Sequence, residues 1–339
     1  MQQSERLHTF ITLGNYLRSP ESAPERDEIS YRANYYNNWF TPENTTKALS
    51  AIASDMLTAE HLTAWLARYK PEPSEPKTIG VAMAGNIPAV GFHDLLCVLI
   101  SGHKLLAKTS SHDLVLIQYL IQKITDINPA FGERITLAER LNAADAFIAT
   151  GSDNTARYFE YYFAKRPHII RRNRTSVGLL MGGEGPEEFA KLGEDVLSYF
   201  GLGCRTISSL LVPEGYDFIP LLQTLDPLAP TYKNLSKWIN NYDYNKSIYL
   251  VNRMHHYDNG YLMLTESEGL VSPISVVHYQ TYRDLDQARD ILTRQASKIQ
   301  VVASANGWYP GSVPFGQTQH PGLSDYADGV DTMAFLAGL

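Results

Sequence analysis

IGVAMAGNIPAVGFHDLLCVLISGHKLLAKTS, residues 79–110, decides the fold. IGVAMAG (79–85) reads as a buried strand, PAVGFHDLLCVLISG (88–102) as an apolar helix, and KLLAKTS (104–110) as the next strand. The pattern then repeats. LVLIQYLIQKI (114–124) is helical, AFIATG (146–151) is a strand, NTARYFEYYFAKR (154–166) is helical and SVGLLMGG (176–183) is a strand. Strands that alternate with helices imply parallel βαβ units and a doubly wound α/β sheet.

Upstream, residues 1–70 read as helical. Thr41-Pro42-Glu43 is a helix start, with Thr41 as N-cap and Pro42 at the first helical position. A further helix is expected over about 58–69. PEPSEPKT (71–78) carries three prolines in six residues and reads as a stiff, extended connector. Downstream, a second α/β stretch starts near 184. GPEEFAKLGEDVLSYF (185–200) opens with acidic residues that suit the helix dipole. Strands follow at 206–214, 261–265, 274–279 and 299–304, with a helix at about 283–295. The tail, 305–339, is rich in Gly and Pro and reads as irregular. The expected organisation is an N-terminal helical segment (1–77), a cofactor-binding α/β domain (78–183), a catalytic thiol α/β domain (184–312) and a C-terminal tail lining the site (313–339).

The chain has 339 residues, 44% hydrophobic and 19% charged, which is enough for two cores. Lys and Arg total 29 and Asp and Glu total 36, a net charge of −7. A mildly acidic chain is a poor default binder of nucleic acid. Two cysteines, Cys97 and Cys204, exclude a disulfide framework and a cysteine zinc cluster, and no metal site is expected. The N-terminus MQQSERLHTF is not a secretion signal, and no apolar run has the length of a membrane span. A cytoplasmic protein is the expectation. The Asn-x-Ser/Thr triplets at Asn44, Asn173, Asn234 and Asn245 then carry no meaning.

Cys204 follows Gly201-Leu202-Gly203 at the joint between a helix and an apolar strand. Glycines there let backbone and thiol approach a ligand, and loops at element ends are where nucleophiles sit. A small buried core residue is the competing reading. Cys97, inside an apolar helix, reads as packing. Asn86 follows the first strand, Lys108 falls in the second, and Gly151-Ser152 follow the third. Open parallel sheets bind ligands beyond their carboxyl ends, so the three together favour a nucleotide site. No GxGxxG follows any strand, so the standard dinucleotide motif is absent. Arg171, Arg172 and Arg174 read either as phosphate recognition or as a salt-bridge set. His320 reads either as an acid/base group or as a surface or packed histidine.

Read in order, these segments resemble the aldehyde dehydrogenase superfamily, and within it the LuxC-like bacterial fatty acyl-CoA reductases. The resemblance rests on AGNIP (84–88), LLAKTSSHD (105–113), ATGSDNTARYF (149–159), RNRTSVGLLMGGE (172–184), YFGLGCRTISSLLVPEG (199–215) and VPFGQTQHPGLSDYADGVDTMAFL (313–336). It implies an aldehyde dehydrogenase-like fold of two doubly wound domains with a helical N-terminal segment. It implies that Cys204 is the nucleophile, that Asn86 donates to the oxyanion, that Lys108 holds the adenosine ribose, and that Gly151 and Ser152 border the cofactor pyrophosphate. Glu268, with Glu266 as competitor, falls near the glutamate that binds the nicotinamide ribose.

Two departures carry information. The oxidising members keep a glutamate before a Gly-Gly-Lys segment, whereas IIRRNRTS (169–176) has no carboxylate. An acyl-enzyme would lack its base for hydrolysis, which fits acyl exchange with coenzyme A. The NAD-selecting glutamate is Ser111 here, which removes repulsion toward a 2′-phosphate and favours NADPH over NADH. The expected function is reduction of an acyl-CoA or other acyl thioester to an aldehyde. The alternatives are an acyl-phosphate reductase, an aldehyde-oxidising thiol enzyme, or a non-catalytic relative that binds a cofactor or partner. The resemblance is also compatible with a homo-oligomer.

Overall fold

A computed structural model describes residues 1–69, 73 and 75–339, with the backbone alone described at Asp153. The proline-rich connector therefore lies partly outside the described residues. The chain divides into two compact units, 1–173 with 320–339, and 174–319.

The first unit opens with helices α1 (Gln3–Arg18), α2 (Ala23–Tyr36), α3 (Pro42–Ala51) and α4 (Ala59–Leu66). Thr41 caps α3 as its sequence demands, accepting the Asn44 N–H at 3.3 Å. Then come β1 (Thr78–Ala82), α5 (Phe92–Ile100), β2 (Lys104–Lys108), α6 (Leu114–Ile127), β3 (Ile135–Leu137), β4 (Ala146–Thr150), α7 (Asp153–Phe163) and β5 (His168–Arg171). The five strands form a wholly parallel sheet in the order β3-β2-β1-β4-β5. Successive strand residues face opposite sides, so each side has its own core. Ile79, Val81, Leu105, Ala107, Ala146 and Ile148 join the core that includes residues of α1, α5 and α6. Ala82, Leu106, Phe147 and Ala149 form a second core with Phe159 and Phe163 of α7. Burial on this scale contributes about 1.5–3 kcal/mol per large side chain.

The second unit contains β6 (Thr175–Leu179), α8 (Pro186–Leu197), β7 (Ile207–Pro213), α9 (Ile219–Leu225), α10 (Ala229–Lys233), α11 (Ser236–Val251), β8 (His256–Asp258), β9 (Met263–Glu266), β10 (Val276–Tyr282), α12 (Leu285–Gln295), β11 (Ile299–Ser304) and β12 (Val313–Pro314). Its sheet runs β12-β11-β6-β7-β10-β9-β8, parallel except for the β8–β9 pair. The α/β class and the parallel sheets expected from the alternation are what the structure has. The strand read at 176–183 pairs in this second sheet.

The tail is not wholly irregular. It ends in α13 (Thr332–Ala337), capped by Asp331, which accepts the Ala334 N–H at 2.8 Å. This returning segment is part of the first unit. Met333 and Leu336 join its core, and Trp65 donates to the Tyr326 hydroxyl at 2.8 Å. Arg171 is buried, paired with Asp94 at 2.6 Å and donating to Thr332 at 2.8 Å. No helix among the described residues is long and apolar enough to cross a membrane.

His103 is a second buried polar link to α13. Its Nδ1 accepts the Lys77 N–H at 3.0 Å, so its Nε2 donates to the Leu336 carbonyl, also at 3.0 Å. Protonation would cost the first of these bonds. Burial pushes the imidazole pKa down. The unfolded chain takes up the proton near the ordinary value of about 6.5. Below that pH the unfolded state binds more protons, so stability falls as pH drops toward the folded pKa. Urea unfolding at about pH 7.5 and about pH 5.5 should show this loss, and His103→Gln should show a shallower pH dependence.

Candidate functional site

The order β3-β2-β1-β4-β5 means that the chain leaves β1 in opposite directions, so the sheet has its switch point between β1 and β4. Loops separate there at the carboxyl edge and leave a crevice. Asn86 lies four residues past β1 and is exposed. Lys108 is the last residue of β2, and Ser111 stands exposed three residues on. Gly151 and Ser152 follow β4, where the Gly151 N–H donates to Arg171 at 3.2 Å. Ser152 caps α7, accepting the Thr155 N–H at 3.3 Å. The structure thus brings Asn86, Lys108, Ser111, Gly151 and Ser152 to one edge of one sheet.

Close packing shapes this edge. The Met83 N–H donates to the Lys108 carbonyl at 3.0 Å, and beyond it the chain leaves the strand. A Cβ on Gly85 would stand 2.4 Å from the Ser110 Cβ, so only glycine lets the two loops meet. Ala89, at the foot of the Asn86 loop, is held at φ 55°.

Cys204 belongs to the second unit. It lies in a turn closed by the Thr206 N–H donating to Gly203 at 3.1 Å. The turn is fastened to the first residues of β6: Ser176 Oγ donates to the Cys204 carbonyl at 3.1 Å, and the Ser176 N–H donates to Thr206 at 3.1 Å. Before it, Tyr199 (φ 51°), Phe200 (φ 56°) and Gly201 (φ 76°) are all left-handed. Two of these carry side chains and cost of order 1–3 kcal/mol each. Burial of both rings offsets that cost, with Phe200 against Tyr232 and Trp238 at ring-centroid distances of 6.0 and 6.2 Å. The helix expected to run to 200 ends instead at Leu197.

The two cysteines differ sharply. Cys204 is half-buried and in no disulfide. Cys97 is wholly buried in α5, and burial, with Asp94 nearby, pushes its thiol well up. Cys97 is a packing residue.

Glu268 stands elsewhere in the second unit. The Ser267 N–H donates to Tyr279, and Gln280 donates to the Glu268 carbonyl at 3.3 Å. Glu268 and Glu266 line a cleft of about 390 Å³ with Gln280, Gln287 and Arg294. That cleft is at the carboxyl end of β9, whereas Cys204 precedes the amino end of β7. Gln280 is level with Leu211, four residues along β7 from Ile207, or ~13 Å. Two residues past Glu268, the Leu270 carbonyl accepts the Ser208 hydroxyl at 2.6 Å, which ties this loop to the first residues of β7.

Arg174 donates to the Ile299 carbonyl at 3.2 Å, and Arg171, Arg172 and His320 form ion pairs. Arg171 is paired with Asp94, Arg172 with Glu160 at 2.6 Å, and His320 with Asp55 at 3.1 Å. One structural carboxyl escaped sequence reading. Asp195 is buried on α8 and accepts the Gly316 N–H at 2.7 Å, the Thr318 N–H at 3.1 Å and the Thr318 hydroxyl at 2.7 Å. Its signal was its place on the apolar face of α8, beside Leu192 and Val196.

No protein-family model matches the chain, and no curated protein matches it. Solved structures do. An NADP-dependent enzyme from E. coli matches with a TM-score of 0.68 and 11% identity, over 90% of this chain and 73% of that one. The aldehyde dehydrogenase KauB from Pseudomonas aeruginosa matches with a TM-score of 0.64 and 13% identity, over 90% and 72%. An NAD-dependent aldehyde dehydrogenase from Sinorhizobium meliloti matches with a TM-score of 0.65 and 11% identity, over 94% and 72%. At such identities the likeness establishes the fold: the chain is built on the aldehyde dehydrogenase-like architecture.

Gly85→Ala should cost about 1–3 kcal/mol in urea unfolding, as overpacking does. Gly183→Ala, where a Cβ would meet nothing within 4 Å, should stay close to wild type.

Proposed function

We propose that the protein reduces an acyl-CoA thioester to an aldehyde with NADPH, through an acyl-enzyme on Cys204. The observation that carries this reading is the turn of Cys204: a half-buried thiol behind three left-handed residues, in a chain with an aldehyde dehydrogenase-like fold. Strain of that kind collects where a backbone is shaped for a reaction.

The carboxyl edge of the first unit fits a dinucleotide. The helix α7 starts just past its cap Ser152, and a helix start at the carboxyl edge of a parallel sheet suits a phosphate. Lys108, Ser111, Gly151 and Ser152 would hold the cofactor, and Ser111 would place no carboxylate near a 2′-phosphate. Bound there, the nicotinamide supplies a hydride.

The residues of the chain do the rest. Cys204 Sγ attacks the thioester carbonyl; the new S–C bond forms, the C–S bond to coenzyme A breaks, and coenzyme A leaves as its thiol. One thioester replaces another, so the exchange is nearly balanced. The Asn86 amide donates to the oxyanion. In the stretch where the superfamily keeps its hydrolytic glutamate, this chain has arginines. That stretch, residues 169–176, holds no carboxylate to serve as the base for hydrolysis of the acyl-enzyme. After reduction the Cys204 S–C bond breaks, the aldehyde departs and the thiol is restored.

NADPH consumption with a panel of acyl-CoA esters is the test. Cys204→Ala should abolish turnover, and Asn86→Ala should slow it by about 10²–10³-fold. Glu268→Gln should raise the KM for NADPH, as the ribose role implied by the resemblance requires; an unchanged KM would remove Glu268 from the cofactor site. NADPH binding without turnover of any ester would overturn the reading in favour of an acyl phosphate, an aldehyde or a purely binding role.

A further inference from the structure

Asp113 is a polar residue that neither the fold nor the proposed chemistry uses. It stands immediately before α6 and is 1% exposed, yet neither carboxyl oxygen has a hydrogen-bond partner. It does not cap the helix behind it, the ordinary work of an aspartate at that position. What lies against it is the loop that carries Asn86. A Cβ on Gly85 would stand 3.2 Å from the Asp113 Cβ. The Ala89 N–H faces the carboxyl, short of hydrogen-bond geometry. Ala89 is also the residue of that loop held at positive φ. A buried polar group without partners works against folding. Such exceptions collect where a structure is shaped for something other than stability.

We propose that Asp113 is a positioning residue for the Asn86 loop, its carboxyl being the polar support that sets the backbone of residues 85–89 and with it the direction of the Asn86 amide. The inference rests on the reading of Asn86 as the oxyanion donor. Burial pushes the Asp113 carboxyl well up, no charged group opposes that shift, and the carboxyl is held toward its neutral form. A neutral support has a specific merit here. A carboxylate behind the loop would oppose the negative charge that the Asn86 amide is to stabilise. Asparagine keeps the shape, the polarity and the neutrality of the group; alanine keeps none of the polarity.

The test compares Asp113→Asn with Asp113→Ala in the full-length protein. Hydrogen exchange at the amides of residues 85–89 is read first, because it needs no substrate. Asp113→Ala should speed exchange there, and Asp113→Asn should match wild type. In turnover of acyl-CoA with NADPH, Asp113→Ala should lose about ten- to hundredfold in kcat at unchanged KM for NADPH, as misplaced catalytic groups do. Asp113→Asn should restore most of it. Unchanged exchange in Asp113→Ala overturns the proposal whatever the activity. So does a loss shared equally by both variants, or one that falls on the melting temperature or on KM instead of kcat. Wild-type protein without turnover sinks the reductase reading, and the loop support is then judged by exchange alone.

Discussion

Gly80 has no side chain, and the first unit depends on that vacancy. A Cβ there would come within 2.8 Å of the Ala144 Cβ and 2.9 Å of the Phe147 ring. Because it is missing, Phe147 of β4 lies across β1 at the centre of the sheet. Phe163 stacks on Phe147 with centroids 3.8 Å apart, and Phe159 stacks on Phe163 at 5.4 Å. These rings fasten α7 to the sheet. The helix then has one direction open to it, and its first turn, capped by Ser152, meets the carboxyl edge. A packing constraint in the middle of β1 thus fixes the position of backbone amides at the edge. Aromatic stacking suits the task, since it contributes about 0.5–1.5 kcal/mol beyond burial and restricts the angle as well as the distance.

Of the non-glycine residues held in the left-handed region, Ala89 stands below Asn86 in the first unit, and Tyr199 and Phe200 stand ahead of Cys204 in the second; Arg253, Ser275, Asn306 and Asp328 are left-handed elsewhere. The side chains of Ala89, Tyr199 and Phe200 are all buried. Burial lets such conformations persist, because leaving them would expose rings or open the core. Folding alone would be better served by glycine at these positions. At Ala89 and at Tyr199-Phe200 the strained backbone lies within a few residues of Asn86 and Cys204.

How much of this was legible in the sequence follows from the kind of signal each element leaves. β1, β2, β4, β6, β7, β10 and β11 are apolar runs between turn residues, and all were readable. Their ends were not. IGVAMAG reads as one strand through Gly85, but the chain leaves the sheet after Ala82, since Gly85 has to pass against Ser110. β3 has three residues, too few for a period, and β5 ends on an arginine that looks solvated until Asp94 buries it. The helix α11, SKWINNYDYNKSIYLV, has no apolar stripe. Its buried rings settle by hydrogen bonds, Trp238 to the Tyr261 carbonyl and Tyr242 to Asp258, and polar letters conceal a packed face. At the site, the residue types at strand ends were visible, whereas Glu268 was reached through the resemblance alone.

The two cysteines show why position in the backbone, more than neighbouring chemistry, decides which thiol can react. By side-chain inventory Cys97 looks the better nucleophile: its sulfur lies 4.0 Å from His93 Nε2, one helical turn away. Yet its surroundings defeat it. Burial and the Asp94 carboxylate both disfavour the thiolate, and His93 Nε2 is already engaged by the Leu323 carbonyl at 3.1 Å. The helix supplies no room for an electrophile. Cys204 has weaker credentials as a side chain and better ones as a place. Its carbonyl is pinned by Ser176, the chain before it is bent through Gly201, and its thiol is only half-buried. Attack requires a sulfur to be both accessible and aimed, and burial denies the first of these to Cys97.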